Sequence, residues 1–348
     1  MKLKYFKYFL LAAAILLFYC IRSFSRLQQE ENKYGLSTEA DLKDVVHRQT
    51  IEDFYNGGND GFFPGSENVP IYYRIYEHPS SKKAIMISTV RKESANKNKE
   101  HIFKLYQNGY SVYIHDHSGQ GQSGRMTEDP QMGYIENFQY YIDDMKYFHD
   151  AYLKPKDHEK TYLLTHSMGG AIGMTYLEQY PDDFDAAAFS SPMLGLKPPT
   201  CSIVQVLDGD LPKYAMGESE YDDDKTTFEG NTLTGSELRY GRMIHAFADE
   251  PKARLGGATY HWVHKSCQQF DYIFGNIDKI KTPFILFSAE NEQIVHPYAH
   301  QKFVTAAKKS GKECQAYEVE NAQHELLIEK DEQRIATINK TLDFYSKY

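Results

Sequence analysis

The chain is short of three things, and each shortage removes a class of function. Cysteine is scarce: Cys20, Cys201, Cys267 and Cys314 lie far apart with no C-x-x-C pair. That spacing offers neither a zinc site nor a dense disulfide framework, and it leaves the redox compartment open. Basic residues are outnumbered, 39 Lys and Arg against 48 Asp and Glu, for a formal charge of -9. A polyanion-binding surface concentrates the opposite balance, so nucleic acid is not an expected partner. No G-x-x-x-x-G-K-[ST] and no H-E-x-x-H occurs, which leaves phosphate-loop and zincin chemistry without a motif. Repeats and low-complexity tracts are missing too. At 348 residues the chain can bury a core large enough for one α/β domain with an inserted subdomain, or for two modest domains.

The longest apolar run stands at the N-terminus, from Tyr8 to Ile21, behind Lys2, Lys4 and Lys7 and ahead of Arg22 and Arg26. Counted from Tyr5 it is about as short as a spanning helix can be, since roughly 17–25 residues cross a hydrocarbon core. Residues 1–27 are therefore expected to be a hydrophobic membrane-targeting helix, either an uncleaved single-pass anchor or a signal peptide. For cleavage, Ser23-Phe24-Ser25 offers a weak small-residue pattern. An anchor with its basic side inside would leave the remaining chain outside. Residues 28–40 are polar and read as a spacer, and the folded domain is expected over 41–348.

Within that domain short apolar runs recur at Tyr72–Tyr76, Ala84–Ser88, Ser111–His115, Thr161–Leu164, Ala186–Phe189, Phe284–Phe287 and Ala316–Val319. Helix-like segments such as Glu100–Gln107, Phe138–Tyr152 and Gly170–Gln179 fall between them. This alternation calls for a mostly parallel central sheet with helices on both faces. The interval from Phe189 to Phe284 is too long for one crossover, so an inserted cap is expected at about 192–278. Its Tyr214, Met216, Tyr240, Met243, Phe247, Tyr260 and Trp262 would either line an acyl-chain pocket or make the cap's own core.

Thr165-His166-Ser167-Met168-Gly169 follows the apolar run Tyr162-Leu163-Leu164 and precedes Gly170-Ala171-Ile172. This is the pattern of a serine nucleophile on a sharp strand-to-helix turn, with small residues where the helix crosses the strand. Thr165 stands where the first glycine of G-x-S-x-G is usual. A serine that transfers acyl groups needs a base, a carboxylate to orient the base, and amide donors for the oxyanion. In chain order the acid comes next, in the loop Ser288-Ala289-Glu290-Asn291-Glu292 after an apolar strand. Glu292 is the expected acid, with Glu290 as the alternative. His324, in Asn321-Ala322-Gln323-His324-Glu325 after the last strand, is the expected base. His166 is expected to give structural support. The oxyanion amides are expected at Met168 and, from the loop after Ala84–Ser88, at Val90. One competing motif is Gly119-Gln120-Gly121-Gln122-Ser123-Gly124, which fits G-x-G-x-x-G. A dinucleotide fingerprint must open directly into an apolar helix, and Arg125-Met126-Thr127-Glu128-Asp129-Pro130 does not. Neither a cofactor nor a metal is expected.

With these residues on the page, the chain resembles the monoglyceride-lipase-like branch of the α/β-hydrolases, and within it the bacterial lysophospholipases. The resemblance spans about 51–348. It rests on Arg91-Lys92-Glu93-Ser94, on Asp116 through Arg125, on His166-Ser167-Met168-Gly169-Gly170, on Gly256-Gly257-Ala258-Thr259-Tyr260-His261-Trp262-Val263 in the cap, and on His324 through Asp331. The resemblance implies an α/β-hydrolase fold with Ser167, Glu292 and His324 at the nucleophile, acid and base positions. It implies hydrolysis of the carboxylic ester of a single-chain lipid. Lysophospholipid is the first choice of substrate, with monoacylglycerol or simpler esters as the alternative. A non-catalytic binding domain is the reading from another class. In a bacterium the N-terminal segment would place the protein in the inner membrane with the catalytic domain outside, or make it secreted or periplasmic if cleaved.

Overall fold

The computed structural model describes residues 24–223 and 226–348. Its strands are β1 (Ser25–Leu27), β2 (Asn59–Pro64), β3 (Pro70–Tyr76), β4 (Lys83–Ser88), β5 (Ser111–His115), β6 (Lys160–His166), β7 (Ala186–Ser190), β8 (Phe284–Ala289) and β9 (Cys314–Val319). They form one nine-stranded sheet in the order β1-β9-β8-β7-β6-β4-β5-β3-β2. Every pairing is parallel except those of β3, which runs antiparallel to both β2 and β5. The helices are α1 (Glu39–Lys43), α2 (Val45–Asn56), α3 (Lys99–Gln107), α4 (Gln139–Phe148), α5 (Met168–Gln179), α6 (Thr200–Leu207), α7 (Glu237–Asp249), α8 (Tyr260–Gly275), α9 (Pro297–Lys309) and α10 (Asp331–Tyr345).

The central strands are apolar on both faces because both are covered, as a parallel sheet requires. Side chains of period two divide between two cores. Ala84, Met86, Leu163, Phe189 and Leu286 pack with α4, α5, α8 and α9. Ile85, Ile87, Leu164, Ala188 and Ile285 pack with α3 and α10 on the other face. Between β7 and β8 the chain leaves the sheet to form α6, α7 and α8. Cys201 on α6 and Cys267 on α8 are joined by a disulfide with Cα atoms 5.7 Å apart. Nothing in the cysteine spacing announced that pair, because the two residues are 66 positions apart in sequence and only the packing of α6 on α8 brings them together.

The N-terminal expectations need correction. Among the described residues no helix is long and apolar enough to cross a membrane, so the expected membrane-anchored location does not stand, and nothing in the described residues supports the membrane partner. The hydrophobic helix they rested on lies outside the described residues. Residues 25–27, placed in that segment from sequence, form a parallel edge strand in register with Tyr317–Val319. Arg26 reaches Glu320 at 3.0 Å there. The stretch expected as a spacer also packs on the domain: Leu36 and Ser37 are buried, and the Tyr34 hydroxyl donates to Asp343 on α10 at 2.6 Å. Polar composition concealed this because only Leu36, with Tyr34 beside it, joins the apolar core, while the other contacts are long-range hydrogen bonds and ion pairs.

Candidate active site

Strand β6 runs into α5 through the single residue Ser167, whose φ of 49° and ψ of -114° are costly for a residue with a Cβ. The crossing closes because two glycines follow. A Cβ on Gly169 would lie 2.2 Å from the Ser88 carbonyl oxygen, and one on Gly170 would lie 2.4 Å from Pro192 Cβ. Thr165 is accommodated from the other side: its hydroxyl donates to the Ala188 carbonyl at 3.2 Å, and its methyl fills space opposite Gly173, where a Cβ would meet Thr165 Cγ2 at 2.7 Å. The bulk missing from α5 at 173 is thus supplied by the strand at 165.

Three of the expected residues are brought together from three loops. His324 Nε2 lies 2.9 Å from Ser167 Oγ, and His324 Nδ1 lies 2.8 Å from Glu292 Oε2. Glu292 Oε1 accepts the amides of Ile294 at 2.8 Å and Val295 at 3.1 Å. Burial by itself would raise the Glu292 pKa, but the hydrogen bond and charge of His324 and these two amides outweigh it and hold the carboxyl down at about 2. Glu290 lies elsewhere, accepting the Asn321 amide at 2.9 Å. Ser167, Glu292 and His324 are all buried, and Ser167 and His324 line the floor of a cavity of about 760 Å³. Met168 opens α5 directly after the serine and also lines the cavity.

Val90 is the exception. It lines the cavity, but its amide donates to Glu93 Oε2 at 2.9 Å, so that donor is occupied and not open to an oxyanion. The carboxylate that captures it belongs to a buried network the sequence reading did not foresee. Lys97 Nζ lies 3.1 Å from Glu93 and 2.9 Å from Glu325, and Glu325 lies 3.1 Å from His166 Nε2. His166 Nδ1 faces the Ser190 carbonyl at 3.0 Å. Burial pulls the His166 pKa down and pushes that of Glu325 up; the charges facing each reverse both, raising His166 and holding Glu325 well below the usual carboxylate range. The network therefore ties the residue before the serine to the residue after His324. Adjacency to the two motif residues was the one signal available, and it carried no partner.

The glycine-rich loop is likewise internal support. Asp116 accepts the amides of Ala95 at 2.8 Å and Gln122 at 2.7 Å, and a Cβ on Gly121 would lie 2.1 Å from Asp116 Oδ2. Of the cap residues, Met216, Tyr240, Met243, Phe247, Tyr260 and Trp262 line the cavity. Tyr240, Met243 and Phe247 also make a small core with Ala253 and Ile328, so both uses foreseen for them apply. Tyr214 is turned to other work, its hydroxyl donating to Asp129 at 3.0 Å. A cavity of this volume with apolar walls and a few convergent polar groups is what a small-molecule site requires.

Comparison with known proteins gives the same fold. The Hydrolase_4 family, described as serine aminopeptidase, S33, matches residues 79–331. The chain is 32% identical to lysophospholipase L2 of Escherichia coli strain K12 over 313 residues, covering 86% of this chain and 90% of that protein. It is 31% identical to probable lysophospholipase L2 of Haemophilus influenzae over 297 residues, covering 82% and 92%. Among solved structures, a soluble variant of monoglyceride lipase from Saccharomyces cerevisiae with a substrate analogue superposes with a TM-score of 0.65. It shares 15% identity, covering 83% of this chain and 96% of that one.

Proposed function

This chain belongs to the Hydrolase_4 family, and from that premise we propose that Ser167, His324 and Glu292 carry out its chemistry as nucleophile, base and orienting acid. The protein is a carboxylic ester hydrolase acting on lipid esters, with lysophospholipid as the substrate class its relatives support most directly. The observation that carries the reading is the unbroken line Ser167 Oγ to His324 Nε2 to Glu292 Oε2, at 2.9 and 2.8 Å, at the floor of the apolar-walled cavity.

His324 takes the Ser167 proton as Oγ attacks the ester carbonyl, and Glu292, ionised, stabilises the imidazolium that forms. The Met168 amide, at the positive end of α5, faces the developing oxyanion. As the tetrahedral intermediate collapses, His324 protonates the departing glycerol oxygen and the acyl group remains on Ser167. A water activated by His324 then releases the fatty acid and restores the serine. The apolar cavity wall holds the acyl chain away from water, and the entropic cost of aligning ester and serine is met by that binding.

The test is fatty-acid release from lysophosphatidylcholine and from a monoacylglycerol of the same chain length, with Ser167→Ala beside the wild type. Wild-type release falling on the order of 10³-fold or more in the variant is the expected outcome. Release that survives the substitution would remove Ser167 from the mechanism.

A further inference from the structure

We propose that Arg91 and Lys92 form the subsite for the phosphodiester of the lysophospholipid headgroup, with Glu218 as their counter-charge; this rests on the lysophospholipid reading above. Both cations line the same cavity as Ser167 and His324. They follow directly on Val90, which lines that cavity too.

Charge and geometry both ask for an anion here. Glu218 Oε2 lies 4.0 Å from Arg91 Nη2 and 4.0 Å from Lys92 Nζ, near enough to influence both but too far for a hydrogen bond to either. Two cations beside one carboxylate leave a single positive charge, which one phosphodiester monoanion neutralises. Arg91 is held in place: Nη1 donates to the Gly256 carbonyl at 3.2 Å, and the guanidinium lies 5.3 Å from the Trp262 ring. The remaining donors of its planar fork suit phosphate oxygens. Lys92 adopts φ of 62°, a left-handed conformation that is unfavourable for a side-chain-bearing residue and persists only where the surroundings impose it. The Gln120 side chain imposes it by accepting the Lys92 amide at 2.8 Å, so the glycine-rich loop serves to present this cation. Burial and the neighbouring Arg91 push the Lys92 ammonium down to about 8, the behaviour of a cation short of negative charge. An uncharged monoacylglycerol would bring neither half-buried cation a second counter-charge.

The experiment compares wild type, Arg91→Met and Lys92→Met on lysophosphatidylcholine and on monoacylglycerol of matched chain. Each substitution is expected to lower kcat/KM for lysophosphatidylcholine by about 10–100-fold, mainly through KM, as loss of a charge-assisted hydrogen bond implies. The selectivity for lysophosphatidylcholine over monoacylglycerol should fall by about tenfold or more. An unchanged selectivity in Lys92→Met, the more exposed of the pair and so the safer to fold, would overturn the subsite. If the wild type releases fatty acid from neither lipid, the functional reading fails by itself. Calorimetric binding of glycerophosphocholine then decides the subsite: binding lost in Lys92→Met supports it, and binding absent or unaltered removes it.

Discussion

The floor of the cavity and its cap are held by different means. The floor is assembled on buried strands and locked by charged hydrogen bonds: Glu292 takes three donors, and His166, Glu325, Lys97 and Glu93 form a continuous buried chain. The cap is tied down by apolar contact, one disulfide and the buried Arg239 of α7 on Glu100 and Asp331, but the side chains it turns to the cavity are mostly apolar, and it leaves Ile203, Val206, Leu207, Leu211 and Met216 at 39%, 80%, 49%, 73% and 80% exposure. The difference separates two jobs. Bond-making needs atoms fixed to a fraction of an ångström, which over-determined polar networks provide, whereas holding a flexible chain needs only an apolar surface of the right volume.

The largest expected effect that would break this division lies in the cap. Cys201→Ser opens a loop with a sequence separation of 66, and the chain-entropy account puts the loss at about 4 kcal/mol. Urea unfolding checks it. The loss should appear with the Ser167–His324 geometry intact, so turnover at low denaturant persists. A loss of turnover without a loss of stability would mean that the tether shapes the floor.

On the floor, the Glu292 carboxyl is held below its ordinary value, at about 2. A depressed folded-state pKa gives stability that is fully present above the unfolded value of about 4.3 and is lost as pH falls towards 2, a contribution of about 3 kcal/mol. Thermal melts between pH 5 and 2 should show that loss, and Glu292→Gln should flatten it. An unchanged slope in the variant would mean that other carboxyls dominate acid unfolding. The smallest effect sharpens the account of the elbow. Gly173→Ala places a Cβ 2.7 Å from Thr165 Cγ2 and should cost about 1–3 kcal/mol by overpacking. The double variant with Thr165→Gly should recover part of it, since the two positions share one space. Additive losses in the double variant would separate them.

Local pattern determined a large part of this molecule. The seven apolar runs named from sequence all fall on strands, because a two-sided parallel sheet makes its strands continuously apolar and so visible. The edge strands β1 and β2 were missed, since Ser25–Leu27 has only three residues and both it and Asn59–Pro64 are mostly exposed and draw their pairing from neighbours rather than from composition. Ser167, His324 and the preference for Glu292 could be reached from chain order, because the three residues follow the ends of β6, β9 and β8. The choice between Glu292 and Glu290 needed the backbone path of one loop. The engagement of Val90 with Glu93, the buried line from His166 to Lys97, the Cys201–Cys267 bond and the placing of Arg91 and Lys92 beside Glu218 were decided by tertiary structure alone. Each joins residues through space with no periodicity to mark it, and a buried charge shows its purpose only when its partner is in view.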